Sequence, residues 1–224
     1  MKAMIMAAGR GERLRPLTDT TPKPLLEVKG KPLIVHHLER LHAAGFTDVV
    51  INVAWLADKI KNFLGDGSRY GIHILYSEES EGALETGGGI LKALPLLGSE
   101  AFLVVNGDIY TDFSFDTLKF VLKDKDLAHL VMVPNPASYP QGDFLLDADG
   151  RLRADGTPRL TYSGIGVHHP DFFRDCSAGK FPMLPWWQKA MEMDRMSGQL
   201  YSGLWKDIGT PESLRAASQF NSDS

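Results

Sequence analysis

Short apolar runs alternate with amphipathic helical segments from Ala3 to Val133, and this alternation limits the possible folds more than any other feature of the chain. The runs "DVVINVA", "IHILYS", "AFLVVN" and "LAHLVMV" have the length and apolar content of strands that are covered on both faces. Between them, segments such as Pro32–Ala44 and Ala57–Leu64 place apolar residues at helical spacing. The pattern predicts an α/β fold: a doubly wound, mostly parallel, Rossmann-like mixed sheet with helices on both faces.

The pattern changes after Val133. A hairpin with a "DADG" turn is predicted in "GDFLLDADGRLRA", a strand in "LTYSGIGVHH", a helix in "LPWWQKAMEMDRM", a strand in "LYSGLWKDIG" and a closing helix in "TPESLRAASQF". A further helix is predicted over Phe115–Lys123. No linker, repeat or low-complexity stretch divides the sequence, so we expect one domain over 1–224 with a small β insertion.

The net charge and the cysteine content limit which binding partners and which cellular compartment the protein is expected to have. The net charge of −4 argues against a nucleic-acid partner. No apolar run is long enough to span a bilayer, and the N-terminal "MKAMIMAAGRGER" is predicted to be a first strand and not a signal peptide. With Cys176 alone, no intrachain disulfide can form. We therefore expect a cytoplasmic protein with no membrane association and no obligate protein partner.

The loop "AAGRGERLRPLT" follows the first apolar run directly. Exposed backbone N–H groups after a strand can form an anion cradle, and Gly9 and Gly11 would let a ligand approach the backbone closely. Arg13 could bind phosphate oxygens in a bidentate manner. The loop lacks the third glycine of a dinucleotide fingerprint and the Gly-Lys-Ser/Thr of a P-loop. The alternative interpretation is a solvated, charged turn.

Further along the chain, one lysine and two aspartates have the chemistry to complete such a site. Lys23 lies between Pro22 and Pro24, which would fix its backbone. Asp108 comes directly after a buried strand, and Asp207 ends a strand before a helix cap. Two carboxylates at strand ends could share one Mg²⁺ with substrate phosphates. The alternatives are an exposed turn lysine and ordinary turn-forming aspartates.

These motifs together resemble the sugar-1-phosphate nucleotidylyltransferases. "AAGRGERLRPLT" followed by "PKPL" is similar to the family signature, with Ala8 in place of the first glycine. "NGD" and "WKDIGTPESL" resemble its two metal-binding aspartate motifs, "EGALETGGGI" its base-recognition segment and "YSGIGV" its sugar-binding strand. The resemblance extends over nearly the whole chain and implies the nucleotide-diphospho-sugar transferase fold, without the acyltransferase tail that some relatives carry.

The resemblance also implies a reaction. UMP would pass from UTP to a sugar 1-phosphate with Mg²⁺, which gives a UDP-sugar and pyrophosphate. Residues 1–135 would mainly bind the nucleotide, and residues 136–224 would mainly bind the sugar and close the site. The implied catalytic residues are Arg13, Lys23, Asp108 and Asp207, of which Asp108 and Asp207 would bind the metal. The implied nucleotide contacts are Ala8, Gly9, Gly11, Arg13, Lys23, Glu78, Gly82 and Asn106, and the implied sugar contacts are Gly142 and Gly164.

The sugar is expected to be N-acetyl-α-muramic acid 1-phosphate, whose lactyl ether carries a carboxylate. Arg151, Arg153 and Arg159 stand where the family often has a Glu-Lys pair, so they are candidates to bind that carboxylate, or they line a solvated hairpin. Glucose 1-phosphate, mannose 1-phosphate or a non-catalytic nucleotide-sugar sensor are the alternatives.

Two other groups of residues are expected to be structural and not functional. Adjacent histidines at His36–His37 and His168–His169 diverge on either a helix or a strand, which argues against a metal site. The tryptophans and methionines around Trp186 and Trp187 are expected to be core and not a sugar platform.

Overall fold

The computed structural model describes residues 1–79, 82–123 and 125–219, and these ranges form thirteen strands and six α-helices. The strands are β1 (Ala3–Met6), β2 (Glu27–Val28), β3 (Lys31–Pro32), β4 (Asp48–Val53), β5 (His73–Glu78), β6 (Phe102–Asn106), β7 (Ile109–Thr111), β8 (Ala128–Val133), β9 (Leu145–Leu146), β10 (Leu152–Arg153), β11 (Thr161–His168), β12 (Met196–Leu200) and β13 (Trp205–Asp207). The helices are α1 (Leu17–Thr20), α2 (Leu33–Ala43), α3 (Ala57–Leu64), α4 (Glu85–Leu97), α5 (Leu184–Glu192) and α6 (Pro211–Gln219).

A seven-stranded mixed sheet forms the centre, in the order β12-β8-β11-β6-β1-β4-β5. β1 pairs in parallel with both β4 and β6, and β5 continues the parallel half beyond β4. β11 runs antiparallel between β6 and β8, and β12 is parallel to β8. The predicted doubly wound α/β fold is confirmed. Two strands of the sheet, β11 and β12, lie within residues 136–224, so both predicted parts of the chain contribute to one sheet.

Side chains that alternate along the strands fill a separate core on each face of the sheet. Ala3 and Ile5 of β1 pack with α2 and α3 on one face. Met4, between them, packs with α4 and α5 on the other. The helices therefore cover both faces, as the continuous apolar runs of the parallel strands indicate.

Helix α2 illustrates how local sequence sets the elements. Pro32 precedes its first residue, and Leu38 and Leu41 are fully buried on one face. Gly45 takes a φ of 75° after the helix, and the Phe46 N–H bonds to the carbonyl of Leu41. Such a left-handed glycine closes a helix because it has no Cβ to clash.

Two predicted elements are wrong. The helix over Phe115–Lys123 is one 3₁₀ turn, Phe115–Leu118, because Phe120 takes a φ of 65°, through which an α-helix cannot continue. The strand predicted in 200–209 is divided into the end of β12 and all of β13. The chain leaves the central sheet after β12 so that β13 can pair with β7.

The segments that follow β1, β4, β5 and β6 meet at the carboxyl edge of the parallel half, where α/β sheets bind ligands.

The predicted hairpin forms from β9 and β10. None of the helices in the described ranges is long and apolar enough to cross a membrane.

Candidate active site

Lys23 and Asp108 form an ion pair at this edge. The Lys23 Nζ donates to Asp108 Oδ2 at 2.7 Å, and the Lys23 side chain is only 11% exposed. Lys23 opens a 3₁₀ turn, Lys23–Leu25, between extended Pro22 and buried Pro24. The two prolines therefore hold the ammonium group against the carboxylate with little backbone freedom.

Asp207 lies beside Asp108 because β13 pairs with β7. Asp207 is the register partner of Ile109, and the Ile208 N–H donates to the carbonyl of Asp108 at 2.8 Å. Burial and then the negative charge of Asp108 raise the pKa of Asp207, while Lys23 and Arg13 lower it. The predicted carboxylate pair is thus brought together by a two-stranded ribbon, at a point where one more cation would relieve its repulsion.

Arg13 approaches the same ribbon from the opening loop. Its guanidinium lies 4.0 Å from Asp207 Oδ2, and the Arg13 side chain is largely exposed. Gly209 makes the approach possible, since a Cβ there would lie 2.6 Å from the Arg13 guanidinium and 2.7 Å from the Asp207 carboxylate. Arg10 and Arg15 instead pair with Asp19, at 2.7 and 2.9 Å, so Arg13 alone of the three is aimed at the aspartates.

A first cleft lies on one side of Asp108. Its lining includes Ala8, Gly9, Lys23, Asn106 and Asp108 among the predicted residues, together with Asn52, Glu79, Glu85 and Thr86.

Buried hydrogen bonds organise the floor of this cleft. Asn52 accepts from the Ala7 N–H at 2.7 Å and donates to Glu79 at 2.7 Å. Glu79 also accepts from the Leu84 N–H, again at 2.7 Å. Sequence reasoning missed Asn52, although a lone polar residue inside "DVVINVA" is a signal that could have identified it. Glu79 lies within the predicted base-recognition stretch from Glu78 to Gly82 but was not named by itself.

A second, larger cleft of about 1050 Å³ lies on the other side of Asp108. Its lining includes the predicted residues Arg13, Asn106, Asp108, Gly164 and Asp207. Gly164 sits in a β-bulge of β11 with a φ of 82°, and a Cβ there would lie 2.8 Å from the Asn106 amide. Asn106 and Asp108 line both clefts, so the charged residues stand where the two clefts meet.

Four predicted contacts do not line either cleft. Glu78 is exposed and pairs with Lys61 at 3.2 Å. Gly11 accepts a hydrogen bond from the Thr18 hydroxyl and shapes the loop from behind. Gly142 packs against the side chain of Asn135. Gly82 lies beside residues 80 and 81, so part of the predicted base-recognition segment falls outside the described residues.

The three arginines considered for a sugar carboxylate do not face the clefts. Arg151 pairs with the buried Asp126 at 2.7 Å, and Arg153 pairs with Asp147 at 2.9 Å. Arg159 donates to the carbonyl of Gly156 at 3.2 Å. Each of the three has a partner in the hairpin region and none lines a cleft, so the structure adds no support to the expectation that they bind the sugar carboxylate, which stays a prediction.

Asp108 and Asp207 are the two carboxylates that the structure brings together where the clefts meet. Among the described residues, no group of three or more His, Cys, Asp or Glu side chains is placed so that it could hold a metal ion. Asp108 and Asp207 still fit Mg²⁺, because this ion is usually held by one or two carboxylates, with substrate phosphates and water in the other positions.

Met183, Trp187 and Met191 are buried in the core, as expected, and Trp186 packs against it. Met193 is 53% exposed, so for that residue the expected core position is wrong.

Comparisons with known proteins bear on the sequence family and on the fold. The sequence model of a family described as Nucleotidyl transferase matches residues 2–142. The chain is 54% identical to N-acetylmuramate alpha-1-phosphate uridylyltransferase of Neisseria meningitidis serogroup B, over 97% of this chain and 96% of that one. It is 36% identical to the protein of the same name from Caulobacter vibrioides, over 96% and 94%. A Bacillus anthracis crystal structure, of a chain described as a glucose-1-phosphate thymidylyltransferase, has a TM-score of 0.85 at 21% identity, covering 100% of this chain and 98% of that one.

Proposed function

The chain belongs to the nucleotidyl transferase family, and we propose that it transfers UMP from UTP to N-acetyl-α-muramic acid 1-phosphate, which gives UDP-N-acetylmuramic acid and pyrophosphate. The family resemblance inferred from the sequence motifs is thereby confirmed. The observation that carries the reaction is the convergence of Lys23, Arg13 and two aspartates at the junction of two clefts. Such a junction allows two phosphorylated substrates to meet.

The reaction is an in-line displacement at phosphorus. A phosphate oxygen of the sugar phosphate forms a bond to the α-phosphorus of UTP, and the bond from that phosphorus to the bridging oxygen of the pyrophosphate breaks. The nucleophile is already an anion, so no strong general base is required. The obstacle is repulsion between two polyanions, and the protein overcomes it by positioning and by fixed positive charge.

The chain's own residues supply that charge from two sides. Lys23, in the first cleft, would bind the α-phosphate and the attacking phosphate. Arg13 would contact the leaving pyrophosphate, and the backbone N–H groups of the opening loop would bind the triphosphate. Asp108 and Asp207 would hold Mg²⁺, which neutralises phosphate charge when bound.

The proposed contacts to the nucleotide and the sugar depend on which predicted residues line the two clefts. Ala8, Gly9 and Asn106 would contact the nucleotide directly, since they line the first cleft, and Gly164 would contact the sugar in the second. Gly11 would act through the shape of the loop. Glu78, Gly82 and Gly142 are family-derived assignments to which neither cleft adds support.

The identity of the sugar rests on the two uridylyltransferase relatives and not on Arg151, Arg153 or Arg159. Glucose 1-phosphate and mannose 1-phosphate are the alternatives. The cytoplasm is the compartment that we propose, because a single cysteine suits a reducing environment. The proposed partners are the two small substrates.

Pyrophosphate release tests the proposal. We expect turnover with UTP and N-acetyl-α-muramic acid 1-phosphate to exceed turnover with the other four nucleoside triphosphates, and with the glucosamine and glucose 1-phosphates. Asp108→Asn and Asp207→Asn should each remove most of the activity. Asp112→Asn, on the exposed end of the same ribbon, is the matched control and should leave activity intact. Preference for GTP or for glucose 1-phosphate would overturn the assigned substrates, and wild-type rates in both aspartate variants would overturn the metal site.

A further inference from the structure

Arg10 is the arginine of the opening loop that faces the protein. Its side chain is 26% exposed, and its guanidinium carbon lies 3.8 Å from the centroid of the Trp55 ring. Trp55 follows β4, so the stack joins the loop after β1 to the segment after the neighbouring strand. Neither residue lines the two clefts.

Hydrogen bonds complete this contact. The carbonyl of Thr18 accepts from Arg10 Nη1 at 2.7 Å and from Trp55 Nε1 at 2.9 Å. Arg10 Nη2 donates to Asp19 at 2.7 Å. The buried Thr18 hydroxyl donates back to the carbonyl of Gly11 at 2.9 Å. The two ends of the segment 10–19 are therefore tied to each other and to Trp55.

We propose that Arg10 and Trp55 are a positioning pair that fixes the loop carrying Arg13 in the geometry required by the transition state. The inference rests on the proposed nucleotidyl transfer. Arg13 and the loop N–H groups stabilise developing charge only if they are held in place before the reaction, and a glycine-containing loop loses conformational freedom when it is ordered. The stack and the shared Thr18 carbonyl provide that order without contact with the substrate.

A matched set of variants separates positioning from charge. Arg10→Met and Trp55→Leu each remove one half of the pair. Arg15→Met is the control: Arg15 lies on the same loop and also pairs with Asp19, at 2.9 Å, but is 56% exposed. If only the positive charge of the loop mattered, Arg10→Met and Arg15→Met would raise the KM for UTP equally.

We expect Arg10→Met and Trp55→Leu to lower kcat about tenfold, with the KM for the sugar phosphate within about twofold of wild type. Arg15→Met should stay within about twofold in both constants. In an Arg13→Ala background, Arg10→Met should lower kcat by clearly less than in the wild-type background, because the part of its effect that acts through Arg13 is already lost. Trp55→Phe, which keeps an aromatic face but loses the Nε1 donor, should lie between wild type and Trp55→Leu.

Limited trypsin digestion gives a second measurement that needs no activity. Trp55→Leu keeps all three arginines of the loop, and we expect cleavage after Arg13 to be several-fold faster than in wild type, while the melting temperature changes by only a few degrees. Wild-type kcat and cleavage rates in Arg10→Met and Trp55→Leu would overturn the inference, as would equal losses in Arg15→Met or multiplicative losses with Arg13→Ala. A wild-type protein that releases no pyrophosphate would instead overturn the proposed function, and the digestion would still test the ordering of the loop.

Discussion

Lys23→Met should cost far more free energy of transition-state stabilisation, measured as a lower kcat, than free energy of folding. The variant keeps most of the side-chain volume and removes the ammonium group that lies 2.7 Å from Asp108. Loss of one preorganised electrostatic donor costs about 10²–10³ in kcat, or about 2.7–4 kcal/mol of transition-state stabilisation. Because Asp108 is about one-third exposed, the pair itself should contribute at most about 1 kcal/mol to folding, or roughly 2–4 °C in melting temperature.

The assay follows pyrophosphate release while UTP and the sugar phosphate are varied in turn, with thermal unfolding measured on the same samples. The KM for UTP should change less than kcat, since contacts that strengthen only in the transition state affect turnover. Lys23→Arg, which keeps the charge but not its compact geometry, should recover part of the loss. An unchanged kcat with a raised KM for UTP would refute this reasoning and make Lys23 a binding residue only.

Two further predictions concern stability. Because burial and the charge of Asp108 raise the pKa of Asp207, folding disfavours the ionised form, so Asp207→Asn should raise the melting temperature at pH 7. That gain should shrink as the pH falls through the raised pKa, where wild-type Asp207 becomes protonated; an equal or lower melting temperature at pH 7 would contradict it. Arg151→Met leaves the buried Asp126 without its ion pair and should cost about 3 kcal/mol in chemical denaturation. The ratio of kcat/KM between the muramic and glucosamine 1-phosphates should stay the same in that variant, and a lost preference would return Arg151 to the sugar site.

Hydrophobic periodicity was sufficient to predict the parallel half of the fold. The strands that begin at Ala3, Asp48 and Phe102 are apolar on both faces, and few environments other than a helix-covered sheet allow this. Periodicity could not show that β11 inserts between β6 and β8, because pairing partners far apart in sequence leave no local pattern. Nor did it predict the break at 201–204, where pairing of β13 with β7 overrides the apolar run.

Residue chemistry predicted the charged centre of the site better than its walls. Recognisable sequence motifs contain Lys23, Asp108 and Asp207, and the structure brings the three residues together. Glu78 and Glu79 are adjacent and chemically identical, yet the first is exposed and the second is buried at the cleft. Only the direction in which the chain turns after β5 distinguishes them, and sequence does not reveal that direction.

The arginines show the same limit in another form. Sequence analysis names Arg13 as the phosphate-binding residue, but Arg10 and Arg15 lie on the same loop and have the same chemistry. Asp19 distinguishes them, since it pairs with Arg10 and Arg15 and leaves Arg13 directed toward Asp207. Arg151 pairs with Asp126 on a distant segment, and a local count of positive charge could not show that partner.

Transfer of labelled phosphate tests the central claim most directly. The wild-type protein is incubated with N-acetyl-α-muramic acid 1-phosphate, Mg²⁺ and UTP labelled at either the α- or the γ-phosphate. We expect α-label to appear in the UDP-sugar and γ-label to appear in pyrophosphate, and we expect both transfers to stop when the divalent cation is chelated. Appearance of γ-label on the sugar, release of α-label only as UMP, or full transfer in the presence of chelator would contradict it.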